Sequence, residues 1–260
     1  MELPLYQIDA FAEEVFQGNA AAVCPLEYWL PDPVLQAIAA ENNLPETAFF
    51  VAEKEGFRLR WFTPVAEVRL CGHATLASAH TLFRHLGAQG DVLHFNSLGG
   101  RLRVCRSGAS LAMYFPTDQP KPAEIPAFLE EALGTAILDA QTGIDDLLVR
   151  VESEALLQSL RPNLTQVANL PHRGLIVTAQ GQNTDFASRC FFPNLGVDED
   201  PVTGSAHTLL TPYWTTLLGK EQLSAVQGGR RKGYLQCRLL GDEVEISGHA
   251  KTYLTGVIYI

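Results

Sequence analysis

Two segments of this chain can be laid over one another, and that repetition limits the possible folds more than any other feature. CGHATLASAHTL begins at Cys71 and TGSAHTLLTPYW begins at Thr203, 132 positions further on. Cys71 then faces Thr203, Gly72 faces Gly204, His73 faces Ser205 and Ala74 faces Ala206. Each segment follows a strand ending in Phe and Pro (Phe62 and Pro64; Phe192 and Pro193) and a loop holding acidic residues. Four short matches carry little by themselves. Together with the matching order of the surrounding elements they point to a duplication, and 260 residues suffice for two ordinary domains.

The local pattern supplies those elements. YQIDAFAEEVF and AAAVC read as strands joined through the turn sequence Gln17-Gly18-Asn19. Residues 31–41 read as a short helix capped by Asp32, with Leu35, Ile38 and Ala39 apolar at helical spacing. ETAFFVAE is a strand starting at Glu46, and FRLRWFT alternates as a second strand ending at Pro64. ATLASAHTLFRHLG is a helix of small residues closed by Gly87. DVLHFNS and GRLRVCRSGASLAMYFP read as two more strands. Pro116, Pro120, Pro122 and Pro126 mark a connector. Beyond it come helices at 127–133 and 154–160, the strands DLLVRVES, RGLIVTAQ and DFASRCFFP, and a loop to Gly204. The helix HTLLTPYWTTLLG follows, in which Pro212 is expected to mark a kink or a first turn of different geometry. Strands around GYLQCRLLG and EVEISGHAKTYLTGVIYI end the chain.

Composition narrows the function classes. Twenty-nine acidic against 19 basic residues leave a formal charge of −10. Such a surface repels phosphate backbones, so nucleic acid is not expected as a partner. No apolar run is long enough to span a bilayer and the first ten residues lack a basic start, so the expectation is a cytoplasmic protein with no membrane partner. The cysteines (Cys24, Cys71, Cys105, Cys190 and Cys237) are odd in number and form no CxxC pair, which suggests reduced core thiols. His73, His80 and His207 lack the spacing of HExxH or a similar motif, so no metal is expected.

The repeated segments also suggest chemistry. A glycine followed by a small or polar residue at a helix start leaves backbone N–H groups open to a ligand, and the helix dipole favours negative charge there. Two such starts could hold a carboxylate between them. Gly72 and Gly204 taken singly could equally serve as tight strand-to-helix turns.

GNAAAV, NLPETAFF, WFTPVAEVRLCGHATLASAH and DEDPVTGSAHTLL resemble the signature stretches of the phenazine-biosynthesis PhzF-like family, within the wider diaminopimelate epimerase-like fold. The resemblance runs from the first strand to the last. It implies an α+β protein of two pseudo-symmetric domains, each a curved, mostly antiparallel sheet wrapped around one central helix, with the active site between them. The halves are then 1–116, with the final strand (about 252–260) completing it, and 117–251. It further implies a cofactor- and metal-independent isomerase that moves a proton on a small carboxylated metabolite. The characterised family reaction isomerises a dihydro-hydroxyanthranilate in phenazine biosynthesis. Dimers are common in the family, so a homodimer is expected.

The resemblance makes Glu46 the catalytic acid/base. Packed beside Ala48, Phe49, Phe50 and Val51, its carboxyl group is expected to resist ionisation; otherwise it is a solvated glutamate at a strand start. His73 corresponds to the histidine of the GHAT stretch, where it polarises or reprotonates substrate or else binds backbone. Asp200 and Ser205 correspond to the aspartate and serine of DPVTGSA. Asp200 orients His73 or a substrate amine, or caps a turn; Ser205 donates to substrate, satisfies the helix start, or does both. Asn19 is a donor to the substrate carboxylate or a turn residue at positive φ. Cys71, Gly72, Thr203 and Gly204 complete the substrate-binding set. Epimerases of this fold use two opposed cysteines, and Thr203 stands where the second belongs. Threonine is too weak an acid for that role, which counts against the alternative of an amino-acid racemase or epimerase. A non-catalytic small-molecule binding protein is the other alternative. The basic run Arg230-Arg231-Lys232 reads as a solvated hairpin tip or as an attractor of anionic substrate.

Overall fold

A computed structural model describes all 260 residues. In chain order the first elements are β1 (Glu2–Ala10), β2 (Asn19–Leu26), α1 (Asp32–Asn42), β3 (Glu46–Glu53), β4 (Gly56–Phe62), β5 (Glu67–Val68) and α2 (Gly72–Arg84). Next come β6 (Val92–Ser97), β7 (Gly100–Ser107), β8 (Ser110–Pro116), β9 (Lys121–Pro122), α3 (Leu129–Leu133), β10 (Asp139–Thr142) and β11 (Asp146–Arg150). Then follow α4 (Glu154–Ser159), α5 (Leu164–Val167), β12 (Gly174–Gln180), β13 (Phe186–Phe192) and β14 (Val197–Asp200). The chain ends with α6 (Ala206–Leu218), β15 (Gln222–Gln227), β16 (Gly233–Leu240), β17 (Glu243–Gly248) and β18 (Ala250–Tyr259). Two compact units result: Met1–Tyr114 with Ser247–Ile260, and Phe115–Ile246.

In the first unit β1 pairs antiparallel with both β18 and β2. Strand β2 runs parallel to β3, β3 antiparallel to β4, β4 parallel to β6, and β6 antiparallel to β7. The second unit repeats this order. Strands β10 and β11 are antiparallel, β11 and β12 parallel, β12 and β13 antiparallel, β13 and β15 parallel, and β15 and β16 antiparallel. The short strands β5 and β14 occupy matching places, Phe62 pairing with Glu67 and Phe192 with Val197. Each is followed by a helix of 13 residues. The duplication read from a dozen residues therefore extends through the whole hydrogen-bond pattern.

Why α2 and α6 sit inside their sheets follows from composition. Nine of the 13 residues of α2 are buried, on every side of the helix. Alanines allow close approach, and the hydroxyls of Thr75, Ser78 and Thr81 donate to the carbonyls of Cys71, Ala74 and Ala77 at 2.6, 2.8 and 3.0 Å, so no polar atom needs water. Helix α6 is bulkier. Its Trp214 stacks on Phe186 and donates from Nε1 to Thr178 at 3.0 Å. Pro212 lies inside α6 and has no N–H for the carbonyl of Thr208; the N–H of Asp118 takes that carbonyl at 3.2 Å. A neighbouring loop thus supplies the donor that proline lacks.

Several local expectations are corrected. Asp32 does not cap α1; it lies in the first turn behind Pro31, and its carboxylate meets Arg60 at 2.9 Å. Helix α2 stops at Arg84, ahead of Gly87, whose φ of +68° turns the chain afterwards. GRLRVCRSGASLAMYFP is two strands, β7 and β8, because Gly108 at φ +61° folds it into a hairpin. The proline connector contains β9, which pairs with β10, and the acidic loop before Gly204 contains β14. Asn19 does not hold the positive φ of the first turn; Gly18 does, at +66°.

Gly18 is where this backbone constraint reaches the site, since it aims the next residue, Asn19. A Cβ there would lie 2.0 Å from the carbonyl oxygen of Ala10, a backbone atom that cannot yield. Gly18→Ala is expected to cost about 2–4 kcal/mol of stability in urea unfolding, and a loss within experimental error would remove this account of the turn.

Candidate functional site

The polar start of α2 is built by three segments of the first unit. Parallel pairing of β2 with β3 sets Glu46 beside Ala21, so the first residue of β3 lies next to the start of β2, where Asn19 stands. Cys71 occupies the cap position of α2 and provides no side-chain hydrogen bond to the helix start. His73, two residues on, is only 4 % exposed. Its Nδ1 lies 3.2 Å from Asn19 Nδ2 and 3.5 Å from Cys71 Sγ; its Nε2 lies 3.1 Å from Glu46 Oε2. The structure thus joins four of the residues named from the sequence: Asn19, Glu46, Cys71 and His73.

The contacts assign protons. In the neutral imidazole the Asn19 amide donates toward Nδ1 and the ring proton sits on Nε2, facing Glu46. The Nε2 and Oε2 atoms are an ion pair by distance, yet their alignment falls short of a hydrogen bond and neither has another hydrogen-bond partner. Buried polar atoms left in that condition call for an explanation, and a catalytic role is one. Burial opposes the His73 imidazolium, and the nearby Cys71 sulfur and Glu46 carboxylate overcome it, raising the pKa well above 6.5. Burial pushes the Cys71 thiol to about 11, aided by the Glu46 charge, so at neutral pH Cys71 is uncharged and Glu46 supplies the pull on His73.

Glu46, Cys71 and His73 could offer one oxygen, one sulfur and one nitrogen within 4.8 Å of one another to a metal ion. Cys71 would bind as the thiolate, a form that a bound cation itself promotes.

The equivalent place in the second unit is a different kind of assembly. The Thr203 hydroxyl donates to Asp200 Oδ2 at 2.6 Å. Gln227, fully buried, accepts from Thr203 N at 2.9 Å and donates to the Asp200 carbonyl at 3.0 Å and Thr203 Oγ1 at 3.1 Å. His207 Nδ1 donates to the Thr203 carbonyl at 2.9 Å, and burial lowers its pKa to about 4, which keeps it neutral. The N–H groups of Ala206, His207 and Thr208 return to the carbonyls of Thr203, Gly204 and Ser205 in a tight first turn. Fewer donors are therefore open here than a bare helix start would offer.

Ser205 does not cap α6 with its side chain. Its Oγ accepts from Arg173 at 3.1 Å, which leaves the hydroxyl hydrogen to be donated. Arg173 is in turn held by a two-point ion pair with buried Asp146. Neither residue was singled out in the sequence. The parallel pairing of Asp146 with Gly174 brings them together, and no local motif encodes that register.

The sequence matches the family model described as phenazine biosynthesis-like protein (PhzC-PhzF) over residues 8–256. The chain belongs to the phenazine biosynthesis-like family. It is 54% identical to an uncharacterized isomerase of Pseudomonas aeruginosa over 260 residues, all of both chains. A PhzF-family crystal structure from Enterococcus faecalis superposes with a TM-score of 0.98 at 46% identity, covering 100% of each chain. A hydroxyproline epimerase from Agrobacterium vitis, solved with bound trans-4-hydroxy-L-proline, shares the fold alone (TM-score 0.63, 10% identity, 99% of this chain and 92% of that one). The PhzF-like α+β fold is thereby established, and membership of this family supports an isomerase or epimerase. No helix is long and apolar enough to cross a membrane.

Because its folded pKa is raised, His73 adds stability that is complete below its unfolded value of about 6.5 and lost as pH rises through the folded pKa. The wild type should exceed Glu46→Gln in stability by more at about pH 6 than at about pH 9. By NMR, the His73 imidazole should titrate above 6.5 in the wild type and move down in Glu46→Gln, while His207 stays near 4. An unmoved His73 would remove the assigned coupling.

Proposed function

We propose that this protein is an isomerase in which Glu46 moves a proton between carbon atoms of a small carboxylated metabolite. The observation that carries the reading is the 3.1 Å contact between Glu46 Oε2 and His73 Nε2 at a buried, polar helix start. Glu46 as carboxylate accepts a proton from an activated C–H bond, and the electron pair passes into the conjugated system. The resulting carboxylic acid returns the proton to another carbon, so the reaction is atom-neutral and leaves the enzyme unchanged. His73 is the positioning residue: it presents its Nε2 proton to the carboxylate and is itself oriented by Asn19.

In this reading the open donors of the α2 start at Gly72 are substrate-binding groups, and so are Gly204 and the Ser205 hydroxyl at the α6 start, with Asp200 and Thr203 holding the second loop in shape. A two-base epimerase finds less support. Cys71 keeps its proton up to about 11, and the Thr203 hydroxyl is already committed to Asp200. Substrate identity within the class of conjugated carboxylates, a place in phenazine biosynthesis, the dimer and a cytoplasmic location belong to the same proposal.

Glu46→Gln should fold normally and lower kcat by about 10²–10⁴-fold. Ser205→Ala should raise KM by about tenfold with a smaller effect on kcat. In heavy water the isomerase incorporates deuterium at a new carbon, whereas an epimerase exchanges the α-proton and inverts that centre. Near-normal turnover by Glu46→Gln would overturn the proposal. Tight binding of the same metabolite, unchanged by the substitution and never followed by turnover, would instead identify a binding protein.

A further inference from the structure

A hollow lies in the first unit, at the other end of α2 from His73. Its volume is about 810 Å³, and it is lined by the last turns of α2 (His80, Phe83, Arg84), the β7–β8 hairpin (Arg106, Leu111) and the start of β18 (Lys251, Thr252). Eleven residues separate Arg84 from His73, about 16 Å along a helix rising 1.5 Å per residue. None of Asn19, Glu46, Cys71 or His73 borders it.

The lining is cationic in a chain whose formal charge is −10. Arg84 and Lys251 enter no ion pair among those the fold makes. The Arg106 guanidinium stands 4.5 Å above the Phe83 ring and meets exposed Asp91 through Nε at 3.1 Å. Glu13, at the rim, is the one acidic lining residue, and it is paired with His249 at 2.9 Å. The floor is hydrogen-bonded: Thr252 Oγ1 lies between His80 Nε2 at 3.0 Å and His85 Nε2 at 2.7 Å. Burial, then the neighbouring His85, Arg84 and Lys251, pushes the pKa of His80 down to about 4, so the imidazole is a neutral hydrogen-bonding group. Phe83 and Leu111 add an apolar wall. A concave hollow of this size, mostly walled by a few convergent polar groups and apolar surface, suits a small molecule. The carbonyl end of α2 opposes an anion by a fraction of one charge, and the three cations outweigh it.

We propose that this hollow is a second ligand site, separate from the Glu46–His73 centre, for a compact polyvalent anion. Its negative groups are taken by Arg84, Arg106 and Lys251, and its carbon skeleton packs on Phe83 and Leu111. The shared chemistry is that of a small tricarboxylate or a phosphate-bearing metabolite. This inference stands independently of the proton-transfer reading.

Titration calorimetry at low ionic strength, with citrate and inorganic phosphate as separate probes, tests it. One of the two should bind saturably at millimolar concentration or below, and the tighter one assigns the anion type. Arg84→Gln/Lys251→Gln, whose fold is checked by circular dichroism, should weaken it by about tenfold or more. Glu46→Gln should bind like the wild type, as should Lys54→Gln/Arg101→Gln, which removes the same charge from exposed surface elsewhere. No saturable binding of either probe, affinity unchanged in Arg84→Gln/Lys251→Gln, an equal loss in Lys54→Gln/Arg101→Gln, or a loss in Glu46→Gln would each overturn the site.

Discussion

A helix enclosed by its own sheet has to begin somewhere, and its first turn carries backbone donors that apolar neighbours cannot satisfy. In the first unit that difficulty falls at Cys71–Gly72–His73. The sides of α2 are covered by small apolar residues and by hydroxyls that bond to its own carbonyls, so its polar demands fall toward its two ends, and the start is one of them. Asn19 and Glu46 reach that start because the strands carrying them run parallel and in register. Site and core are therefore one construction: the packing that hides α2 is what leaves a histidine, a carboxylate and an amide facing one another out of water.

The two units answer the same constraint differently. In the second, the α6 start is closed by a tight turn and by Gln227, which bonds to three groups of the Asp200–Thr203 loop. The histidine next to it, His207, is neutral and tied to backbone, whereas His73 is drawn toward its charged form by a carboxylate. Duplication produced two similar frameworks, and the side chains at equivalent places then parted: Cys71 and Thr203, His73 and Ser205. One start gathers Asn19, Glu46 and Cys71 around a buried histidine. The other became a scaffold presenting Ser205 on an Arg173–Asp146 support.

Recurring motifs were legible because they sit on local geometry. Glu46 opens β3 as expected, and GHAT and TGSA open the two central helices within a residue or two. Errors gathered where tertiary pairing overrides local pattern. The strand β14 exists because β13 offers it a hydrogen-bonding edge, and its acidic sequence gives no period-two signal of its own. Likewise, Asp32 has the chemistry of a cap, but Arg60 on β4 draws its carboxylate away. Pro212 was expected to mark a kink or an altered first turn in α6; the compensation lies in Asp118, 94 positions earlier, beyond the reach of any window of sequence.

By itself, then, the order of residues determined the duplicated α+β framework and the two glycine-marked helix starts, since these depend on periodicity and on side-chain type; Glu46 and His73 were singled out through the family resemblance. Only the folded chain decided which partners those groups meet. That Nδ1 of His73 looks to Asn19 and Nε2 to Glu46, that Gln227 locks one helix start, and that three cations gather around an open hollow at the far end of α2 all follow from strand register and long-range packing. Electrostatic and hydrogen-bond energies depend on distances of a few ångströms between residues tens to hundreds of positions apart, and separation along a chain carries no such distances.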